Sequence, residues 1–419
     1  MAAVEPARLV RRSLSRRGGR LSVRLGAERL ELRVDRVWSV AVGKAALAMA
    51  AGLHEVAPEV GGIAIAPAGG EPPCPAAARF RILPGEHPVP DVASFASTRA
   101  LLAALRARPR KEAVLLLLSG GASSLLEAPA RGLRRADLRS LGRWLLRSGL
   151  PIASANAIRK HASAVKGGGL LRQAAPRPIV TLALSDVPGD DLSVIGSGPA
   201  VPDPTTYADA LAAWERARGA DQGPTAVLRH LRAGAAGRRP ETVSPGEPIA
   251  RAARAAVIGS NRTALAGARR EARRRGFRVL GPVLRLGGEA RECAARLVAR
   301  LPARPSEPVC VLGGGETTVA IPARAGRGGR SQELALAAAL ALPPGWALLA
   351  AGTDGVDGPT PAAGAFADAG VRRVGLRALR RALDAHDAYG LLAPRGHVLR
   401  TGPTGTNVMD LVIAIHPGR

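Results

Sequence analysis

Apolar and polar positions along this chain repeat one order: a short apolar run, a turn of Gly or Ser, then a helical pattern. Residues 37–42 lead into Gly43-Lys44 and then into a helical pattern over 45–53. Residues 113–118 lead into Ser119-Gly120-Gly121 and then 122–126, and residues 255–258 into Gly259-Ser260-Asn261 and then 263–275. Apolar runs of this length closed by such turns read as buried strands. Their alternation with helices predicts α/β architecture with mostly parallel sheet and helices on both faces. Residues 179–184 and 309–312 are further strand candidates, ended by the turns Ser185-Asp186 and Gly313-Gly314-Gly315-Glu316. Residues 346–351 and 409–415 add two more. Residues 233–248 are rich in Gly, Pro and charge and carry no apolar period, so a boundary is expected there. The reading is a larger N-terminal α/β domain over 1–240 and a smaller C-terminal α/β domain over 250–419.

Composition refines this picture. Apolar residues make up 47% of the 419 and aromatics only 2%, so the core must be built mainly from Leu, Val and Ala. No apolar run approaches the ~18 residues that span a bilayer, and no membrane partner is expected. The first residues carry charge and no apolar stretch, so no secretory leader is expected. Cys74, Cys293 and Cys310 lie far apart and suggest neither a disulfide framework nor a metal spacing. A reducing, cytoplasmic setting fits.

The net charge of +27 raises nucleic-acid binding as a reading. The composition of that charge argues against it. Only four of the 60 basic residues are lysines, and the arginines are not interleaved with aromatics that could stack on bases. Arginine codons are GC-rich and lysine and asparagine codons AT-rich, so base composition accounts for the bias. The few Lys and Asn that remain then mark places where their chemistry resists replacement. Lys44, Lys160 and Lys166, with Asn156, Asn261 and Asn407, all fall in or beside the turn-rich segments.

Those segments carry the candidate chemistry. Gly43-Lys44-Ala45 opens a helix after a strand, where free N–H groups and a cation favour phosphate. Ser119-Gly120-Gly121-Ala122-Ser123 stands in the same position after its own strand. Asn156, Arg159, Lys160 and Ser163 share one face at helical spacing, and Lys166-Gly167-Gly168 follows; this basic face suits an anion. Asp186, Asp190 and Asp191 suit either Mg²⁺ or turn capping. Gly314-Gly315-Glu316 and Gly328-Gly329-Arg330 are dense glycine turns. Arg330 at a helix start is unfavourable unless it faces an anion. Thr353-Asp354 and Thr404 to Asn407 lie in polar turns near the last strands, and His87 lies either near a site or in a structural turn. No P-loop G-x-x-x-x-G-K-[ST], no G-x-G-x-x-G after a first strand and no G-x-S-x-G is present.

Taken together and in order, these motifs resemble the glycerate 2-kinase family, whose C-terminal half is the MOFRL domain. The matching stretches include Val42-Gly43-Lys44-Ala45-Ala46, His87-Pro88-Val89-Pro90-Asp91, Ser197-Gly198-Pro199 and Gly314-Gly315-Glu316-Thr317-Thr318. The resemblance departs at Ser331, where Asn is common in the family, at Gly169 (Arg) and at Ala162 (Leu). It implies a Rossmann-like N-terminal parallel sheet, a MOFRL domain with mixed sheet, and an active site in the cleft between the domains. It implies transfer of the γ-phosphoryl group of ATP to the 2-hydroxyl of D-glycerate with Mg²⁺, and maps catalysis onto Lys44 and Arg330. Substrate or phosphate contacts are expected from Ser119, Gly120, Gly121, Ala122, Ser123, Asn156, Arg159, Lys160, Lys166, Gly314, Gly315, Thr353, Asp354, Thr404 and Asn407. Metal ligation is expected from Asp186, Asp190 or Glu316. The partners expected are small molecules, with no specific nucleic acid; a homodimer is left open. An NAD(P)H-dependent hydroxypyruvate reductase is the alternative, and a basic nucleic-acid-binding protein a remote one.

Overall fold

The apolar runs do form strands, and they pack into two sheets of different construction. A computed structural model describes residues 1–69, 79–217, 223–322 and 324–418; Cys74 lies outside the described residues. After an initial helix (Pro6–Ser13), β1 (Leu14–Arg17), β2 (Arg20–Leu25) and β3 (Glu28–Arg33) form an antiparallel ribbon. A six-stranded sheet follows, made of β4 (Val37–Val42), β5 (Gly62–Pro67), β6 (Phe80–Gly85), β7 (Ala113–Leu118), β8 (Ile179–Leu184) and β9 (Ala253–Gly259). Its order is β6-β5-β4-β7-β8-β9, and the pairs from β6 to β8 are parallel. Every residue of β4, β7 and β8 is buried. A strand covered on both faces has no solvent side to make polar, which is why these segments read as continuous apolar runs.

The second sheet is mixed. It contains β10 (Arg278–Val279), β11 (Leu284–Leu286), β12 (Val309–Gly315), β13 (Ala347–Gly352), β14 (Gly364–Ala367), β15 (Val398–Leu399) and β16 (Asp410–His416). β10 and β11 pair parallel with β12; β16 runs antiparallel between β12 and β13, and β14 and β15 extend the antiparallel side. Leu334, Ala335, Leu336 and Ala338 of the helix Arg330–Ala339 belong to its core.

Two sequence expectations change. The glycines 313–315 continue β12 rather than forming a turn, because the helix Asn261–Arg274 lies close against them: a Cβ on Gly314 would collide with Asn261. The division between units also moves. The chain separates into Pro6–Ile258 and a second unit of Gly259–Arg419 joined by Met1–Glu5. The strand at 253–259, read from sequence as the start of the second domain, instead lies beside β8 as the sixth strand of the first sheet. Ile249 and Ala250 pack on the first unit's core.

Asn261 shows what one retained asparagine does. Its buried Nδ2 donates to Val408 O at 2.9 Å and Asp410 O at 3.0 Å, fixing the entry to β16. Asn261→Ala leaves two buried carbonyls short of a donor and is expected to lower unfolding free energy by about 1–3 kcal/mol. Urea denaturation checks this; a variant as stable as the parent would contradict it.

Candidate functional site

Each unit gathers polar groups where glycine-bearing strand ends meet. In the first sheet the connections run outward in opposite directions from β4 and β7. The carboxyl ends of two such strands leave a crevice at which ligands of open parallel sheets bind. Gly43-Lys44 leaves β4 and Ser119-Gly120-Gly121 leaves β7, side by side at that switch point. The Lys44 N–H donates to Gly120 O at 2.8 Å, and the Ala45 N–H to Ser119 Oγ at 3.1 Å. Gly43 has φ +128°, and any Cβ there would overlap Ser119, so only glycine allows this closeness.

Side chains from neighbouring strands close around this turn. A Cβ on Gly121 would lie 3.2 Å from both His87 Cδ2 and Lys44 Cγ, so the lysine stem and the imidazole flank the glycine. A Cβ on Gly120 would run into the Asp186 carboxylate, which follows β8. Partial burial of the ring, and then the charge of Lys44, hold the pKa of His87 at about 4. His87 is therefore a neutral imidazole at pH 7, although much of the residue's outer surface stays exposed.

A second polar line extends from the same turn. Ser123 Oγ and Ser197 Oγ are 2.8 Å apart, Ser197 Oγ donates to Asn156 Oδ1 at 3.2 Å, and Arg159 Nη1 reaches the same oxygen at 3.4 Å. Ser197 has φ +62° between two glycines that are also at positive φ. Backbone held this way in a non-glycine residue costs free energy and is concentrated at ligand-binding turns. Burial lowers the pKa of Arg159, partly offset by the charge of Glu127.

Two lysines expected to meet a ligand are placed differently. Lys160 is buried and paired with Asp203 at 3.0 Å. Lys166 is buried against Glu127, which also accepts from Ser163 Oγ at 2.6 Å. Both ammonium groups are thereby committed to internal carboxylates that the sequence reading did not single out. Spacing put Lys160 on a face with Asn156, but the partner, Asp203, is remote in sequence.

In the second unit, Arg330 opens its helix with Gly329 as N-cap. Its Nε and Nη2 grip Asp410 Oδ2 and Oδ1 at 2.6 and 2.9 Å, and Nη1 meets Glu316 Oε1 at 2.6 Å. Burial alone would lower the pKa of Arg330; the Asp410 hydrogen bond and the charges of Asp410, Glu316 and Asp357 outweigh it and raise it. The anion that this helix start demands is thus supplied internally. Asp357 supplies another, accepting from the N–H groups of Ser331 and Gln332 at 3.1 and 2.8 Å. Asp410 was missed as a site residue because it sits at a strand start without a motif of its own; Asp357 lies in the acidic turn 353–360, from which only Thr353 and Asp354 were singled out.

The remaining expected residues surround this point. Gly315 and Gly352 are the register partners of Asp410 on either side, and Gly314 lies against Asn261. Thr353 Oγ1 donates to Met409 O at 2.6 Å and accepts from Val408 N, while Thr404 N donates to Asp354 O at 3.1 Å. Asn407 Oδ1 accepts from Met409 N at 3.1 Å. These bonds knit the 401–409 loop to the turn after β13. Among the described residues no three His, Cys, Asp or Glu gather as a metal set. Asp186 and Asp190 follow β8 in the first unit, whereas Glu316 belongs to the second and is bonded to Arg330.

Comparison with known proteins places this geometry in context. Residues 1–232 match the family model described as a domain of unknown function, DUF4147, and residues 309–410 match the MOFRL family. A Pyrococcus horikoshii protein named glycerate 2-kinase is 37% identical over 391 residues, covering 91% of this chain and 87% of that protein. A Thermotoga maritima protein named D-glycerate 2-kinase is 38% identical, covering 92% of each. An Agrobacterium vitis relative at 40% identity, covering 89% of this chain and 85% of that protein, carries a provisional hydroxypyruvate reductase name. The crystal structure of a Thermotoga maritima glycerate kinase superposes with a TM-score of 0.81 at 35% identity, covering 99% of this chain and 96% of that one.

The buried Lys160–Asp203 pair generates a stability test. Lys160→Met strands a carboxylate and is expected to cost about 3–5 kcal/mol; adding Asp203→Asn, which removes the charge, should recover much of that loss. A single variant unfolding at the parent's urea midpoint would show that the pair is not held in this way.

Proposed function

The chain belongs to the glycerate 2-kinase family, and from that premise we propose that it transfers the γ-phosphoryl group of ATP to the 2-hydroxyl of D-glycerate. The observation that carries this reading is the convergence of Lys44, the Ser119-Gly120-Gly121 turn, His87 and Asp186 at the switch point of the parallel sheet. Phosphoryl transfer asks for positioning and charge stabilisation rather than covalent chemistry by the protein. A lysine beside backbone N–H groups at a parallel-strand end supplies both.

In this reading Lys44 and Arg330 stabilise the migrating phosphoryl group, as the bond to the ADP oxygen breaks, the bond to the glycerate oxygen forms and the hydroxyl proton is released to solvent. Within the turn of Ser119, Gly120, Gly121, Ala122 and Ser123, the backbone N–H groups of Gly120, Gly121 and Ser123 receive phosphate oxygens, those of Ser119 and Ala122 donating to Val42 O and Ser119 O. Asn156 and Arg159, joined to that turn through Ser197, take the glycerate carboxylate; Lys160 and Lys166 hold the framework through their ion pairs. Gly314, Gly315, Thr353, Asp354, Thr404 and Asn407 shape the surroundings of Arg330. Asp186 and Asp190 offer the hard oxygen donors that Mg²⁺ takes, one or two carboxylates being enough when phosphates complete the shell. Bound with ATP there, the ion would offset phosphate charge. No helix among the described residues is long and apolar enough to cross a membrane; the cytoplasm, where ATP is abundant and Cys293 and Cys310 stay reduced thiols, is the proposed setting.

The hydroxypyruvate reductase reading lacks support from the residues. The turn after β4, Gly43-Lys44-Ala45-Ala46, is not a dinucleotide fingerprint. ADP release dependent on D-glycerate is therefore expected, with no NADH consumed on hydroxypyruvate. Lys44→Ala and Arg330→Ala should each lose ~10³-fold or more in turnover. Near-parental turnover in either variant would remove that residue from the reaction, and glycerate-independent ATP hydrolysis alone would overturn the substrate assignment.

A further inference from the structure

The glycine loop that precedes Arg330 is fastened to a segment remote in sequence. Gly326 N–H donates to Ala385 O at 2.8 Å, Arg327 N–H to Asp387 Oδ1 at 3.0 Å, and Tyr389 N–H returns a bond to Arg327 O at 2.8 Å. A Cβ on Gly326 would overlap Asp387, so the two segments lie in contact. Arg327 is held at both its N–H and its carbonyl, and its guanidinium carbon stands 4.8 Å from the centre of the Tyr389 ring. Arg400, which follows β15, comes to the same ring: its guanidinium carbon is 5.9 Å from the centre, and Nη2 donates to the phenol oxygen at 2.8 Å. One aromatic ring ties the loop that opens the Arg330 helix to the chain that leads on through Thr404 and Asn407.

Aromatic residues are scarce in this chain. Tyr207, the other tyrosine, is buried, whereas Tyr389 is half-buried and both of its arginines are exposed. Base composition accounts for many arginines, but not for two of them meeting on one ring. Among the described residues neither Arg327 nor Arg400 forms an ion pair, in contrast to Arg291, which meets Glu333 at 2.7 Å, and to Arg330. Asp387, the carboxylate of this turn, accepts from the backbone N–H groups of Arg327 and Gly390 rather than from either guanidinium. A cation–π contact at an exposed site is weak, and like charges brought to one ring repel. An anion with several oxygens would bridge them, and the planar fork of a guanidinium matches phosphate oxygens in pairs.

We infer that Arg327 and Arg400, braced on Tyr389, form a clasp for the phosphate chain of the nucleotide, with Tyr389 as its positioning residue. The inference rests on the reading of this chain as an ATP-dependent kinase. It divides labour within the second unit: Arg330 acts on the phosphoryl group that moves, and Arg327 and Arg400 on the phosphates that remain with ADP. Those phosphates are bound before and after transfer alike, so the loss of the clasp falls on KM for ATP.

Calorimetric titration with ADP, and separately with inorganic tripolyphosphate, tests the clasp on the parent and on Arg327→Gln/Arg400→Gln, in which only exposed side chains change. The double variant is expected to lose roughly 10-fold or more in affinity for both probes, as removal of charge-assisted donors does. KM for ATP should rise by a similar factor, and KM for D-glycerate by much less. Tyr389→Leu should show part of the same loss, and Tyr389→Phe, which keeps the ring without the bond to Arg400, should fall between it and the parent. Arg377→Gln/Arg380→Gln, at two exposed arginines of the helix Leu376–Asp384, should bind ADP as the parent does; an equal loss there would reduce the effect to general charge and overturn the inference. Weakened ADP binding with unaltered tripolyphosphate binding would place the arginines on the base or ribose and overturn it as well. Parental affinity for both probes in Arg327→Gln/Arg400→Gln, with D-glycerate still phosphorylated, rejects the clasp alone. Loss of ADP and tripolyphosphate affinity in that variant, from a parent that phosphorylates no glycerate, keeps the clasp and rejects the acceptor assigned above.

Discussion

No side chain fits between Gly43 and Ser119, and the N-terminal site depends on that closeness. Two strands running in the same direction, each buried on both faces, end beside one another. Their turns then share hydrogen bonds, Lys44 N–H to Gly120 O and Ala45 N–H to Ser119 Oγ. With the backbones locked, the root of the lysine stem is held beside Gly121, near His87, while the residue as a whole stays exposed.

The second unit solves the same problem with charge. Arg330 is aimed by a buried carboxylate at the junction of β12, β13 and β16, and the helix N–H groups behind it are quenched by Asp357. The acids that orient the Arg330 guanidinium also offset its charge. Lys160 and Lys166 show the other outcome: enclosed with single carboxylates, they hold the fold.

Much of this was legible in the residues. The continuous apolar runs of β4, β7 and β8 announced a parallel sheet covered on both sides, and the Gly and Ser turns announced where it ends. Rarity in an arginine-rich chain pointed to Lys44, Asn156 and Asn261. It could not say what each does, because a retained lysine suits a phosphate and a buried carboxylate equally. Asp203 and Asp410, the partners of Lys160 and Arg330, are remote in sequence and carry no motif; only the folded chain pairs them. The glycines 313–315 misled for a related reason: three glycines in a row look like a turn until a helix is seen packed where their side chains would be. Strand order, and with it the switch point, is set by crossovers that local pattern does not encode.

The account stands or falls on which oxygen receives phosphate. Phosphorus NMR of a reaction containing this protein, ATP, Mg²⁺ and D-glycerate distinguishes the two phosphoglycerates by their coupling to carbon-bound protons. A single new resonance coupled to one proton, that of 2-phosphoglycerate, is the predicted result. A signal coupled to a methylene pair, that of 3-phosphoglycerate, or the absence of any phosphorylated glycerate, would contradict it.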